Sequence, residues 1–104
     1  LLKRPNRPTA IFAGSDLQAM GVYEAARQLG LRIPEDLSVV GFDDVQTAAF
    51  LGPALTTVRQ PLQDMARAAV RMLIEALSTD DVIQPHIIMP TSLVVRNSTQ
   101  QLEG

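Results

Sequence analysis

The sequence has no cysteine and no tryptophan, a single histidine, and only 4% aromatic residues. Without cysteine the chain has no disulfide framework, no thiolate metal site and no cysteine nucleophile. The single histidine, His86, argues against a histidine-based metal site or catalytic dyad. No apolar run approaches the roughly 18 residues that a membrane-spanning helix needs. These absences remove several protein classes, and we expect neither a metal nor a cofactor.

An excess of positive charge is also missing. Nine Lys and Arg residues stand against eleven Asp and Glu residues, which gives a formal net charge of −2. The basic footprint typical of nucleic-acid-binding domains is therefore absent. With 46% apolar residues, the 104-residue chain is long enough to form a packed domain. Because residue 1 is Leu rather than Met, we expect a piece of a larger protein; the alternative is a small protein with a trimmed tag.

Short apolar runs alternate along the chain with segments whose apolar residues recur at helical spacing, which is typical of an α/β fold. Short apolar runs predict buried strands, and apolar residues at helical spacing predict helices. The first strand–helix–strand unit is expected to be a parallel crossover. The predicted elements are strands at residues 9–13, 37–42 and 55–59, helices at 16–29 and 61–77, a short helix at 45–51, and strand-like pieces at 87–89 and 93–95.

Local signals mark where the helices begin and end. Ser15 followed three residues later by Gln18 is typical of a capping box at a helix N-terminus. Gly30 lies where a left-handed C-terminal cap is expected. Pro61 suits the first position of the second long helix, where its missing N–H costs nothing. Residues 78–81 (Ser-Thr-Asp-Asp) are expected to end that helix.

Polar side chains follow each of the three predicted strands. Ser15 and Asp16 follow the first strand, the pair at residues 43–44 (Asp-Asp) follows the second, and residues 59–60 (Arg-Gln) follow the third. Ligands of open parallel sheets bind beyond the carboxyl ends of the strands. If the strands are parallel neighbours, these groups converge on one edge and suit a polyhydroxylated small molecule.

Each of these residues also has a purely structural interpretation. Ser15 can be an N-cap and Asp16 can complement the helix dipole. The Asp pair can form a turn, Arg59 can be a solvated surface charge, and Gln60 can cap the helix that Pro61 opens. The residues alone therefore indicate an α/β domain fragment that binds a polar small molecule or none.

Catalysis is not indicated. Adjacent strand residues point to opposite faces, so Asp43 and Asp44 are not expected to act on one substrate as an acid–base couple. The sequence shows no nucleophile–base constellation, metal-ligand set or phosphate loop. We predict that the chain is not an enzyme and has no catalytic residues.

Four segments in register make the pattern more specific. Residues 13–21, 30–44, 53–61 and 90–96 resemble the lactose-repressor/galactose-repressor (LacI/GalR) family of transcription regulators. The match runs in order and without gaps from about residue 8 to residue 99. The resemblance implies a partial effector-binding domain over residues 1–104, part of a type I periplasmic-binding-protein-like, two-lobed core with parallel sheets flanked by helices.

The resemblance also implies a division between lobes. Residues 9–58 would belong to the C-terminal lobe, residues 61–88 to the N-terminal lobe, and residues 90–99 to the C-terminal lobe again. The family's helix-turn-helix DNA-binding head is not visible in this sequence. Operator DNA would then be contacted by a head outside this segment.

The family's effector pocket lies between the lobes, and four residues here match it. Asp43 matches the ligand-binding aspartate at the end of a strand. Ser15 falls where many members have an asparagine, a departure that removes an amide donor. Gln60 matches a polar pocket residue, and Phe42 is expected beside the pocket. A second set falls near the family's dimer contact, with intramolecular core as the alternative: Leu17, Met20, Tyr23, Glu24 and Leu51.

The expected function is therefore effector sensing, for a sugar or related polar molecule, in a LacI-type transcriptional repressor. We expect a cytoplasmic homodimer with no membrane contact. The alternative is a periplasmic sugar-binding protein of a transport system, which shares the fold. The segment 41–44 (Gly-Phe-Asp-Asp) followed by residues 56–61 favours the regulator.

Overall fold

The computed structural model describes residues 1–78 and 86–102. The chain forms two compact units. The first comprises Leu1–Arg59 and the segment that begins at Ser92, and the second comprises Gln60–Thr91. The chain therefore leaves the first unit after Arg59 and re-enters it at Ser92.

A four-stranded sheet forms the first unit. Its strands are β1 (Ala10–Phe12), β2 (Ser38–Asp43), β3 (Thr56–Arg59) and β4 (Ser92–Val94), in the spatial order β1-β2-β3-β4. The β1–β2 and β2–β3 pairs are parallel, and β4 is antiparallel to β3. The predicted α/β fold with a parallel sheet is confirmed, with one antiparallel strand added at its edge.

The helix α1 (Asp16–Gln28) connects β1 to β2, as the sequence signals predict. Ser15 Oγ accepts from the Gln18 N–H at 3.1 Å, while Gln18 Oε1 accepts from the Gly14 N–H at 3.0 Å. The capping box thus reaches back one residue further than expected. At the other end Gly30 has a φ of +69°, and the Leu31 N–H donates to the Ala26 carbonyl at 2.9 Å. That bond is the long-range bond of a Schellman cap.

The core lies between α1 and the face of the sheet that this helix covers. It is built from Leu37, Val39 and Leu55 together with small residues. Ala19 and Ala26 on α1 are fully buried or nearly so, and their small side chains allow the helix to approach β2 closely. The small residues of α1 therefore bring its N-terminus close to the ends of the strands.

The short helix expected at residues 45–51 is present as a 3₁₀ helix, Gln46–Phe50. The strand expected at residues 87–89 is wrong, because residues 86–91 form no regular structure. A strand needs a paired neighbour, and in its own unit this segment has only a helix beside it among the described residues. The helix end expected at residues 78–81 lies largely outside the described residues.

The second unit is dominated by the helix α2 (Leu62–Ser78). Pro61 lies one residue before the first helical position, and its carbonyl accepts from the Met65 N–H at 2.9 Å. No residue of α2 is buried, although its apolar residues include Leu73 and Leu77. Among the described residues, no helix combines the length and the apolar character required to cross a bilayer.

Gly41 supplies a test of how closely the elements pack. A Cβ built on this residue of β2 would collide with Asp16 Oδ1 and lie 2.9 Å from Leu55 Cδ2. We expect Gly41→Ala to lower the free energy of unfolding by about 1–3 kcal/mol, the usual cost of overpacking. The measurement is urea denaturation followed by circular dichroism.

Gly21 is the matched control. It lies inside α1, and a Cβ there would meet nothing within 4 Å. Gly21→Ala should raise the free energy of unfolding by up to about 1 kcal/mol, because alanine is the better helix former. Equal effects of the two substitutions would contradict the packing described here.

Candidate functional site

The carboxyl ends of β1, β2 and β3 meet at one edge of the sheet, because these three strands are parallel neighbours. Residues 13–16 leave β1 at this edge, and Asp43 and Arg59 end β2 and β3 in direct register. The polar groups that follow the strands are therefore brought to one side of the first unit. This edge is the candidate site.

Asp16 occupies the centre of this edge and is fully buried. Its Oδ1 accepts from the Thr57 hydroxyl at 2.6 Å, and its Oδ2 accepts from the Val45 N–H at 2.7 Å. The carboxylate thus joins the first turn of α1, the segment after β2, and β3. From the sequence, Asp16 was expected only to complement the helix dipole. Its role in joining distant segments was not predicted, because Thr57 is 41 residues away along the chain.

Ser15 combines capping with access to the edge. Its side chain is half-buried, and its oxygen accepts from the Gln18 N–H at 3.1 Å. A hydroxyl that accepts one bond still has its own proton to donate and a second lone pair. The capping role and a ligand-contacting role are therefore compatible at this residue.

Asp43 and Asp44 form a turn with unusual backbone angles. Their φ values are +117° and +56°, although neither is glycine. Such conformations are sparsely populated for other residues and persist only where the surroundings enforce them; they are concentrated at functional sites. Asp43 is half-buried at the end of β2. The turn therefore gives this carboxylate an orientation that a regular strand would not provide.

The Asp44 carboxylate lies between two arginines. Its Oδ2 accepts from Arg59 Nε at 2.7 Å and its Oδ1 from Arg96 Nη2 at 2.8 Å. Partial burial acts to raise the pKa of Asp44, but hydrogen bonds from Arg96 and Arg59 hold that pKa below its ordinary value. Both oxygens of the Asp44 carboxylate are thus held by guanidinium groups.

Phe42 and Gln60 are the two other residues of the predicted site. Phe42 is half-buried and pairs in register with Val58. Gln60 follows β3 directly as the first residue of the second unit, and its carbonyl accepts from the Leu62 N–H at 2.8 Å.

The candidate dimer residues on α1 differ in exposure. Leu17 is 77% exposed, whereas Met20 and Tyr23 are half-buried. The Tyr23 hydroxyl donates to the Pro53 carbonyl at 2.8 Å, and burial raises the pKa of this tyrosine. Tyr23 and Leu51 both pack against the core of their own unit. Leu17 is therefore the apolar member of the set with most of its surface available.

Glu24 is an exposed member of the same set. Arg27 Nη2 donates to Glu24 Oε1 at 2.6 Å, and Gln28 Nε2 donates to the same oxygen at 3.2 Å. The hydrogen bonds from Arg27 and then from Gln28 lower the pKa of Glu24 to about 2. This carboxylate is therefore oriented along α1 by its neighbours on the same helix.

The chemistry of the edge favours polar recognition. In the described part of the chain no group of three His, Cys, Asp or Glu residues is arranged to hold a metal ion. Carboxylate and hydroxyl groups at strand ends can accept from and donate to the hydroxyls of a small polar molecule.

Comparison with known proteins identifies relatives over nearly the whole chain. Residues 1–99 match the family described as "Periplasmic binding protein-like domain". An HTH-type transcriptional regulator from the aml 5′ region of Streptomyces limosus is 52% identical over 93 residues, covering 89% of this chain and 26% of the relative. The chain thus spans about a quarter of the length of this curated relative.

Two solved structures show the same architecture. A LacI family transcriptional regulator from Enterococcus faecium with bound ribose has a TM-score of 0.87 and 28% identity, over 94% of this chain and 37% of that one. The Lac repressor dimer bound to operator and the anti-inducer ONPF has a TM-score of 0.80 and 35% identity, over 88% and 32% of the two chains.

The lowered pKa of Asp44 predicts an acid-dependent loss of stability. A carboxyl group whose pKa is lower in the folded state stabilises the fold above its unfolded pKa of about 3.9. That stabilisation is lost as the pH falls through the lower, folded pKa. We expect the difference in unfolding free energy between wild type and Asp44→Asn to be largest at neutral pH and to shrink below about pH 4.

Urea denaturation of both proteins between pH 7 and pH 3 measures this difference, and asparagine is chosen because it tolerates a positive φ. Arg96→Gln should show the same convergence with wild type in acid. A difference that stays constant over the whole pH range would contradict the ion pairs described here.

Proposed function

The chain belongs to the LacI/GalR family of transcriptional regulators, and from this membership we propose that it is the C-terminal part of an effector-sensing core. One observation carries the proposal. Ser15, which follows β1, and Asp43, which ends β2, lie at the same edge of the parallel sheet. The regulators to which the chain is similar also favour this function over the transport alternative. They likewise support a binding role rather than an enzymatic one.

We further propose that the two units belong to different lobes of the complete core. Residues 9–58 and 90–99 would form part of the C-terminal lobe, and residues 61–88 part of the N-terminal lobe. The division of the chain after Arg59 and before Ser92 supports this assignment. Effector binding would then act by favouring one arrangement of the lobes, which requires different affinities for the two arrangements.

The proposed effector is a sugar or a related polyhydroxylated molecule. Asp43 would accept hydrogen bonds from its hydroxyls, and Ser15 would donate one. Phe42 and Gln60 complete the proposed set, as an apolar neighbour and as a donor and acceptor. The ribose bound to the Enterococcus faecium relative supports the sugar class.

The proposed partners follow from the same family. Operator DNA would be contacted by a segment outside these 104 residues, because their net charge of −2 gives no basic footprint. A protein that acts on operator DNA works in the cytoplasm, where we place this one. We also propose a homodimer that uses Leu17, Met20, Tyr23, Glu24 and Leu51; the Lac repressor dimer supports this assembly.

The effector site is tested by Asp43→Ala in the full-length protein. A thermal-shift screen of sugars identifies a ligand, and isothermal titration calorimetry measures its affinity. Hydrogen bonds to a charged group contribute roughly 1.5–3 kcal/mol, so we expect binding to weaken by about 10- to 150-fold. The control is Glu35→Ala. Glu35 is exposed and precedes β2, at the opposite end of that strand from Asp43, so this substitution should leave the affinity unchanged. Equal affinity of wild type and Asp43→Ala would exclude this pocket.

The dimer face is tested by Leu17→Asp and Met20→Asp. Leu17 is 77% exposed, so Leu17→Asp should shift the protein toward monomer while circular dichroism stays that of the wild type. Met20 is half-buried, so Met20→Asp places a charge at a partly buried position and should lower the melting temperature as well. Sedimentation velocity measures the assembly. A Leu17→Asp protein as dimeric as the wild type would remove α1 from the interface.

A further inference from the structure

Asp44, Arg59 and Arg96 form a cluster, here called the arginine clamp. It adjoins Asp43, the residue proposed to bind the effector. The three side chains come from the turn after β2, from the end of β3, and from the segment after β4. Each carboxylate oxygen of Asp44 has its own arginine, at 2.7 Å and 2.8 Å. The carboxylate is therefore held in a single orientation between two strands that are far apart in sequence.

Arg96 is the firmly anchored member of the arginine clamp. Its side chain is 17% exposed, against 56% for Arg59. Its Nη1 donates to the Leu55 carbonyl at 2.8 Å, and its backbone N–H donates to Thr56 Oγ1 at 2.9 Å. Ion pairs at exposed positions contribute little, whereas partly buried and hydrogen-bonded pairs resist disruption. Arg96 therefore fixes Asp44 more strongly than Arg59 does.

The backbone at Asp44 is held from a second side. The Asp44 N–H points to Thr57 Oγ1 at 3.4 Å, and the next N–H, that of Val45, donates to Asp16 at 2.7 Å. These contacts and the arginine clamp act on a turn with two positive φ values, which would relax without them. The side chain that this turn orients is Asp43.

We propose that Asp44 is a positioning residue that, through Arg96, holds Asp43 in the geometry that binds the effector. This inference rests on the proposed function, since it assigns a role within that site. In this role Asp44 acts through its two arginines, each of which donates to one of its oxygens, and it needs no contact with the ligand. Its effect on affinity comes from the cost of ordering a loosened turn when the ligand binds.

The alternative is that the arginine clamp stabilises the sheet without influencing binding. The two roles differ in what they change. A purely structural pair changes the melting temperature and leaves the dissociation constant of the folded protein as it was. A positioning pair changes the dissociation constant, and its two members act together.

The test uses the full-length protein as wild type, Asp44→Asn, Arg96→Gln and the double variant. The probe is whichever of ribose, glucose, cellobiose, maltose and sucrose raises the wild-type melting temperature most. Calorimetry then measures its dissociation constant at a temperature where every variant is folded. We expect each single substitution to raise the dissociation constant about tenfold, and the double variant to lose no more than either alone.

Asp36→Asn is the matched control. It removes another Asp–Arg ion pair of the same unit, Arg32–Asp36, which lies just before β2 begins. It should leave the dissociation constant unchanged. Hydrogen–deuterium exchange without sugar should be faster over residues 43–46 in Asp44→Asn than in the control.

The outcomes separate this inference from the proposed function. A wild-type protein that binds none of the five sugars contradicts the proposed sugar sensing, and the positioning role falls with it. A wild-type protein whose binding is weakened by Asp43→Ala but not by Asp44→Asn leaves the proposed function in place and overturns the positioning role. Additive effects of Asp44→Asn and Arg96→Gln would overturn the role of Arg96.

Discussion

The buried carboxylate of Asp16 is the interaction on which the candidate site depends. It accepts from Thr57 in β3 and from the backbone of Val45 after β2, while its own residue opens α1. A buried carboxylate without partners would be strongly unfavourable, so the three elements are stable only when they are brought together. Gly41 leaves the space for it, because any side chain there would occupy the position of the carboxylate.

The residues Asp43 and Asp44 adjoin that anchor. The Val45 N–H is bound to Asp16, and the two residues before it both have a positive φ. The arginines hold Asp44 in this turn. Both oxygens of Asp44 are thus held by arginines, and Asp43 ends β2 at the sheet edge.

The division of the chain into two units gives the sheet edge its proposed role. Both β3 and β4 adjoin the second unit in sequence, and the arginine clamp joins the segments at the ends of these strands. The arginine clamp therefore lies in the first unit, near the two points where the chain leaves and re-enters it. In the proposed regulator, these are the points at which the chain would pass between lobes.

The sequence by itself determined the order and type of most elements, because hydrophobic period, capping residues and turn residues act over a few neighbouring positions. Ser15, Gln18 and Gly30 predict both ends of α1, and the apolar runs predict β1, β2 and β3. The strand expected at residues 87–89 is not formed, because its apolar residues have no strand to pair with among the described residues of their unit. The contacts of Asp16 with Thr57 and of Asp44 with Arg96 were decided only by the tertiary structure. They join residues 41 and 52 positions apart, and no local pattern records which buried donor will meet which buried acceptor.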